Sequence, residues 1–181
     1  DFVGGESLFE YAMLKLDVGL HGVFEFSLSN LTDDLDDDYA MYFGGGAYIL
    51  YDIGPAVGWP DFWAGIEMDF LAVGETATGE SVNLIHGMFG IKKKWYINSL
   101  VTTIGLRGGI SYYSTDDDSQ EGTLIGGGGD LVLGLEYYIH PMFSVYLNVA
   151  GRFFTNPLQL TSGDADPEMG GQANLGIRLG L

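Results

Sequence analysis

Apolar and polar positions alternate along this chain in eight separate runs. In the first, Ala12, Leu14, Leu16, Val18, Leu20, Phe24, Phe26 and Leu28 fall on one side. Lys15, Asp17, His21, Glu25 and Ser27 fall on the other. A period of two means an extended strand, because successive side chains point to opposite faces. The pattern predicts strands over 12–28, 39–53, 62–74, 83–93, 100–113, 124–139, 143–154 and 169–181.

The connections alternate as well. The first, third, fifth and seventh are SNLTDDLDDD, ETATGES, STDDDSQEGT and NPLQLTSGDADPE. Residues 29–38, 75–81, 114–123 and 156–168 together hold 14 of the 25 acidic residues and none of the 7 Lys and Arg. The other three connections are GPAVGWPD, a short segment near KWYINS, and His140-Pro141-Met142, rich in turn formers and aromatics. Lys92, Lys93 and Lys94 are expected beside the lower end of the fourth strand. Trp59, Trp63, Trp95, Tyr96, Tyr137 and Phe143 are expected to form an aromatic girdle near the short turns.

Long polar loops on one side and short turns on the other suit an eight-stranded antiparallel up-and-down barrel that crosses a membrane. Composition points the same way. Charged residues make up 18% of the chain, against about a quarter in soluble domains. No stretch approaches the roughly 18 consecutive apolar residues of a membrane helix. A closed barrel is the other structure that pairs every backbone group in lipid. A soluble barrel of the same pattern would turn its apolar face inward around a ligand and expose a well-solvated outer face. Here the polar face carries mainly Gly and Tyr, with sparse charges of both signs: Lys15, Asp17, Glu25, Glu67, Asp69, Arg107, Asp130, Glu136, Arg152 and Arg178. Such a set fits a narrow lumen, where buried charges must be paired.

The reading is one barrel domain over 1–181, with 1–11 as an N-terminal extension. Both termini lie on the short-turn side, periplasmic in this scheme, and the acidic loops are extracellular. The first residue is Asp1 and nothing there reads as a signal peptide, so a mature chain without its targeting segment is expected. The absence of cysteine excludes disulfides and thiolate metal sites. A net charge of −18 rules against nucleic acid as a partner.

On this whole-length architecture the chain resembles the small eight-stranded outer-membrane proteins of OmpA-barrel, OmpX or OmpW type. The final run Asn174-Leu175-Gly176-Ile177-Arg178-Leu179-Gly180-Leu181 resembles their terminal strand, although it ends in Leu rather than an aromatic residue. The resemblance implies a non-enzymatic outer-membrane protein with outer-membrane lipids around it. A structural, adhesive or docking role through the acidic loops follows, with an envelope protein or a second copy as candidate partner. An OmpW-like alternative is transport of small hydrophobic molecules through an upper luminal pocket, to which Phe154 and Tyr113 would contribute. A third is a lipid-modifying enzyme, since some outer-membrane barrels use His with Ser or Asp at the outer rim. No His-x-Ser spacing occurs around His21, His86 or His140.

Two further features are candidates for binding. Asp33, Asp34, Asp36, Asp37 and Asp38 form one acidic cluster, and Asp116, Asp117, Asp118 and Glu121 another. Oxygen-rich clusters suit Ca²⁺ or Mg²⁺, but neither has EF-hand spacing, and a solvated, self-repelling loop is the simpler expectation. No other cofactor is implied. The glycine runs 44–46 and 126–129 either relieve curvature or leave an outer-wall groove at Gly45, Gly127 and Gly129.

Overall fold

The computed structural model describes residues 15–27, 40–73, 82–115, 124–155 and 167–181. They form β1 (Leu16–Ser27), β2 (Ala40–Asp52), β3 (Phe62–Val73), β4 (Val82–Ile97), β5 (Leu100–Thr115), β6 (Leu124–His140), β7 (Phe143–Thr155) and β8 (Pro167–Gly180). Each strand pairs antiparallel with its sequence neighbours, and β1 pairs with β8 to close the barrel. Closure leaves no unpaired sheet edge. At the seam, Leu16 N–H donates to Leu181 O at 3.1 Å, and Leu181 N–H donates back at 2.8 Å.

Three connections on one end of the barrel are described, and each has a local cause. Between β2 and β3 a single helical turn, α1 (Gly54–Val57), carries Pro55 in its first turn and ends at Gly58 with φ 74°. The Asp52 carboxylate accepts the Gly54 N–H at 2.9 Å and starts that turn. Between β4 and β5 only Asn98 and Ser99 intervene, with Asn98 at φ 54°. Asn tolerates this left-handed conformation better than most residues. Pro141 and Met142 join β6 to β7 after a bulge between Tyr138 and His140.

The strand ends differ from the sequence reading most at β4, which runs to Ile97 rather than stopping at 93. Trp95, Tyr96 and Ile97 are strong strand formers, so they continue pairing with β5 as far as Leu100. This extension places Lys92 and Lys94 inside the barrel, while Lys93 is on the outside. The girdle also needs correction. Trp59 and Trp95 are exposed, but Trp63 is buried and Tyr96 packs against Val101 and Tyr138. Parity explains both inward aromatics: Trp63 shares a face with Glu67 and Asp69, and Tyr96 with Lys92 and Lys94.

The packing is inverted relative to a soluble domain. Phe43, Leu106, Leu131 and Leu175 face outward, Leu175 at 68% exposure. Asp17, Glu67, Asp69, Arg107, Asp130 and Arg178 are buried inside. An apolar belt running around all eight strands far exceeds the exposed patch a soluble protein tolerates. Lipid is the solvent that suits such a belt, because the barrel satisfies its own backbone groups.

Candidate functional site in the barrel lumen

The inward side chains form three connected layers. Nearest the short turns, Lys94 Nζ lies 2.5 Å from Asp17 and 3.5 Å from Glu136. Arg178 bonds Asp17 and Tyr138, and its Nη1 is 2.5 Å from Glu136 Oε1. Ser144 donates to the same Glu136 oxygen at 2.5 Å. Two cations therefore meet two carboxylates. Trp63 lies beneath Lys94, with the ammonium 4.6 Å from its ring centroid.

Arg107 organises the middle layer. Its Nε and Nη2 donate to the two Asp130 oxygens at 2.8 and 2.7 Å, a bidentate pair. Nη1 sits 2.5 Å from Glu67 Oε1, and Nη2 also reaches Gln172 Oε1 at 2.8 Å. Gln172 then donates to Asp69 at 2.7 Å, and Asn174 donates to Glu67 at 3.0 Å. Lys92 approaches Glu67 at 3.6 Å and stands over the Tyr48 ring. His21 links Tyr146 to Asp69. Its Nδ1 lies 2.8 Å from the Tyr146 hydroxyl and its Nε2 lies 2.7 Å from Asp69 Oδ1, so the ring bridges the two side chains.

The layer nearest the acidic loops holds Arg152, Glu25, His86 and Ser111. Arg152 pairs with Glu25, and its Nε is 3.4 Å from Asp130, which joins this layer to the one below. His86 Nδ1 lies 2.7 Å from Ser111 Oγ. The space left among these layers is small. One cavity, of about 20 Å³, lies between Lys92, Lys94, Glu136 and Asn148. That volume is about one water's worth.

Nine of the ten charges expected on the polar face thus line the lumen: Asp17, Glu25, Glu67, Asp69, Arg107, Asp130, Glu136, Arg152 and Arg178. Lys15 does not. It precedes β1, is exposed at the seam, and makes none of the ion pairs found among the described residues. Lys92 and Lys94 were expected only beside the lower end of the fourth strand, and Gln172, Asn174, Ser144, Ser111 and Tyr146 were not singled out in the sequence. Strand parity was the available signal, since Gln172 and Asn174 share the face of Arg178. His86 meets Ser111 across two neighbouring strands rather than along one, a contact that no His-x-Ser spacing would reveal.

Other candidates change position. Gly45 lies on β2, whereas Gly127 and Gly129 lie on β6, four strands away in a ring of eight. They stand on opposite walls and do not line one groove. Asp33, Asp34, Asp36, Asp37, Asp38, Asp116, Asp117, Asp118 and Glu121 lie outside the described residues, as do the N-terminal extension and the Tyr113 side chain. His21, Glu67 and Asp69 bring three ligand atoms within 4.8 Å of one another. Arg107 and Lys92 already neutralise that node, so its chemistry fits an ion-pair junction better than a metal centre.

No family model and no curated protein matches the chain in sequence. Solved structures do match it in shape. Neisserial surface protein A superposes with a TM-score of 0.65 at 16% identity, covering 92% of this chain and 97% of that one. Ail, the attachment invasion locus protein of Yersinia pestis, superposes with a TM-score of 0.54 at 14% identity, covering 93% and 100%. The chain has the fold of the small eight-stranded outer-membrane barrels. In this outer-membrane fold the apolar belt is the lipid-facing wall, and the polar layers are the filling of a narrow lumen.

Proposed function

We propose that the protein is an outer-membrane anchor that displays its acidic loops at the cell surface for docking or adhesion. The observation that carries this reading is the filled lumen. Interlocked ion pairs occupy it, and the two recesses beside them, one at Glu25, His86 and Arg152 and one at Lys92, Lys94 and Glu136, are water-sized. That is the interior of a rigid support rather than of a diffusion channel. The recess nearest the loops is lined by Glu25, His86 and Arg152 beside Phe154, and these charged and polar groups disfavour transport of hydrophobic molecules. The similarity to Ail, whose name refers to attachment, supports an adhesive role. In this reading the termini and short turns are periplasmic and outer-membrane lipids surround the belt.

The loops carry 14 acidic residues and no Lys or Arg. Such a field attracts cations and basic surfaces and repels anions. The favoured partner is therefore a basic protein surface, of the envelope or of another cell. Ca²⁺ or Mg²⁺ bridging the loops to anionic lipid headgroups is the corresponding small-ion role. The test uses intact cells that express the protein. An epitope within 29–38 should be accessible from outside, and binding of a basic test protein should fall with salt. Changing Asp33, Asp34, Asp36, Asp37 and Asp38 to Asn should weaken that binding. An inaccessible epitope would refute the orientation, and unchanged binding would refute the role of these loops.

A further inference from the structure

Among the described outward positions of the eight strands, Lys93 is the one Lys, Arg, Asp or Glu. A charge on a lipid-facing wall is costly unless it reaches the interface or finds a partner. Lys93 does both. It lies on β4 opposite Phe62, the first residue of β3, at the short-turn end. Its ammonium donates to Pro60 O at 2.5 Å and lies 3.4 Å from Asp61 Oδ2. An ammonium has three donors, so these two contacts leave one over. Both side chains of the pair stay within reach of solvent, at 23% and 33% exposure.

The surroundings are interfacial and held in place. Trp59 and Trp95 are both exposed beside the pair. Lys93 Nζ lies 5.8 Å from the centroid of the Trp95 ring, and Trp59 packs edge-on against Phe62 at 5.4 Å. Exposed tryptophans mark the headgroup level of a membrane. The turn that carries Trp59 and Asp61 is tied down by backbone bonds. Ile53 N–H donates to Phe62 O at 2.8 Å, Trp59 N–H to Gly54 O at 3.1 Å, and Lys94 N–H to Asp61 O at 3.0 Å. Asp61 has φ 57°, a left-handed conformation that Asp and Asn tolerate. Next along the wall, Ala64 lies between Tyr51 of β2 and Ile91 of β4, a low point between two larger side chains.

We propose that this patch binds the headgroup of a phosphatidylethanolamine. That headgroup carries an anionic phosphate and a primary ammonium joined by a short link, the charge complement of the Lys93–Asp61 pair. Lys93 gives its remaining donor to a phosphate oxygen, a charge-assisted bond. The lipid's ammonium donates to the Asp61 carboxylate, within reach of the Trp59 ring face that attracts cations. The acyl chains run up the wall over Ala64. A purely anionic headgroup is repelled by Asp61, and a trimethylated ammonium has no N–H to give it. Charge complementarity therefore selects phosphatidylethanolamine over both. The site requires only that the short-turn end meet the membrane interface, whatever the acidic loops bind.

The test uses the full chain, folded in detergent micelles doped with equal amounts of phosphatidylethanolamine, phosphatidylglycerol and phosphatidylcholine of the same acyl chains. Native mass spectrometry counts the lipids that stay on the protein. One phosphatidylethanolamine should be retained in preference to either competitor, by about tenfold. Lys93→Gln should remove the preference. Asp61→Asn keeps a residue that tolerates the left-handed turn and should move the preference to phosphatidylglycerol, an effect that loss of packing alone would not produce. Gel migration of unboiled samples checks that each variant is folded, and Asp61→Asn carries the test if Lys93→Gln is not. Equal retention of the three lipids by the wild-type barrel, or phosphatidylglycerol ahead of the others, would overturn the proposal. So would an unchanged preference for phosphatidylethanolamine in the folded Asp61→Asn variant.

Discussion

Arg107 touches more carboxylates and amides than any other side chain described in the lumen, so its removal tests whether ion pairs hold the interior together. Arg107→Met keeps most of the volume and deletes the charge. Asp130 loses a bidentate partner at 2.8 and 2.7 Å, and Glu67 loses a contact at 2.5 Å. Breaking a buried pair from one side costs about 3–5 kcal/mol, because the remaining charge is left uncompensated. Compensation here is partial. Asp130 keeps Arg152 at 3.4 Å, while Glu67 keeps Lys92 at 3.6 Å and Asn174 at 3.0 Å. The expected cost therefore lies at the lower end, about 3 kcal/mol. Adding Asp130→Asn removes one of the stranded charges. The double variant should be more stable than the sum of the single losses by about 1–3 kcal/mol. Urea titration of the barrel in lipid vesicles, followed by tryptophan fluorescence, measures both. A loss below about 1 kcal/mol for Arg107→Met, with no coupling to Asp130, would refute a dry, ion-paired interior.

Three other predictions follow from the same geometry. Gly46→Ala should lower the urea midpoint well beyond Gly45→Ala, since a Cβ at 46 collides with Asp69 and His21, whereas at 45 the nearest atom is 3.4 Å away; equal effects would contradict the assigned faces. Leu175→Arg, near the middle of β8 and 68% exposed, should cost about 2–4 kcal/mol in lipid vesicles; a cost near zero would mean that this face meets water. Planar-bilayer recording should show no sustained open pore, and a stable ohmic conductance would contradict the filled lumen.

The fold was legible because an up-and-down barrel is local in sequence. Each strand pairs with the next, so alternation and turn signals specify nearly all of it, and only the β1–β8 seam is distant. The charged lining was legible for the same reason: parity placed Asp17 and Arg178 on the inner face long before their contact was visible. What could not be read was who meets whom across the lumen. His21 and Tyr146 are 125 residues apart, and their meeting depends on barrel closure and strand stagger. Lys92 and Lys94 were expected beside the lower end of the fourth strand, and the inward turn of their side chains was not legible because the strand continues past them to Ile97. Trp63 and Glu136 offer Lys94 a buried position. The Ser111–His86 pair lay hidden because adjacency across strands leaves no local spacing to find.

The most direct test of the central claim, a lipid-embedded closed barrel, is gel migration of the protein extracted from the membrane fraction, boiled and unboiled. The account predicts that the protein requires detergent for extraction. The unboiled band should run at a different apparent mass, because the closed barrel resists unfolding by detergent alone. A chain that is soluble without detergent, or one that migrates identically before and after boiling, would contradict it.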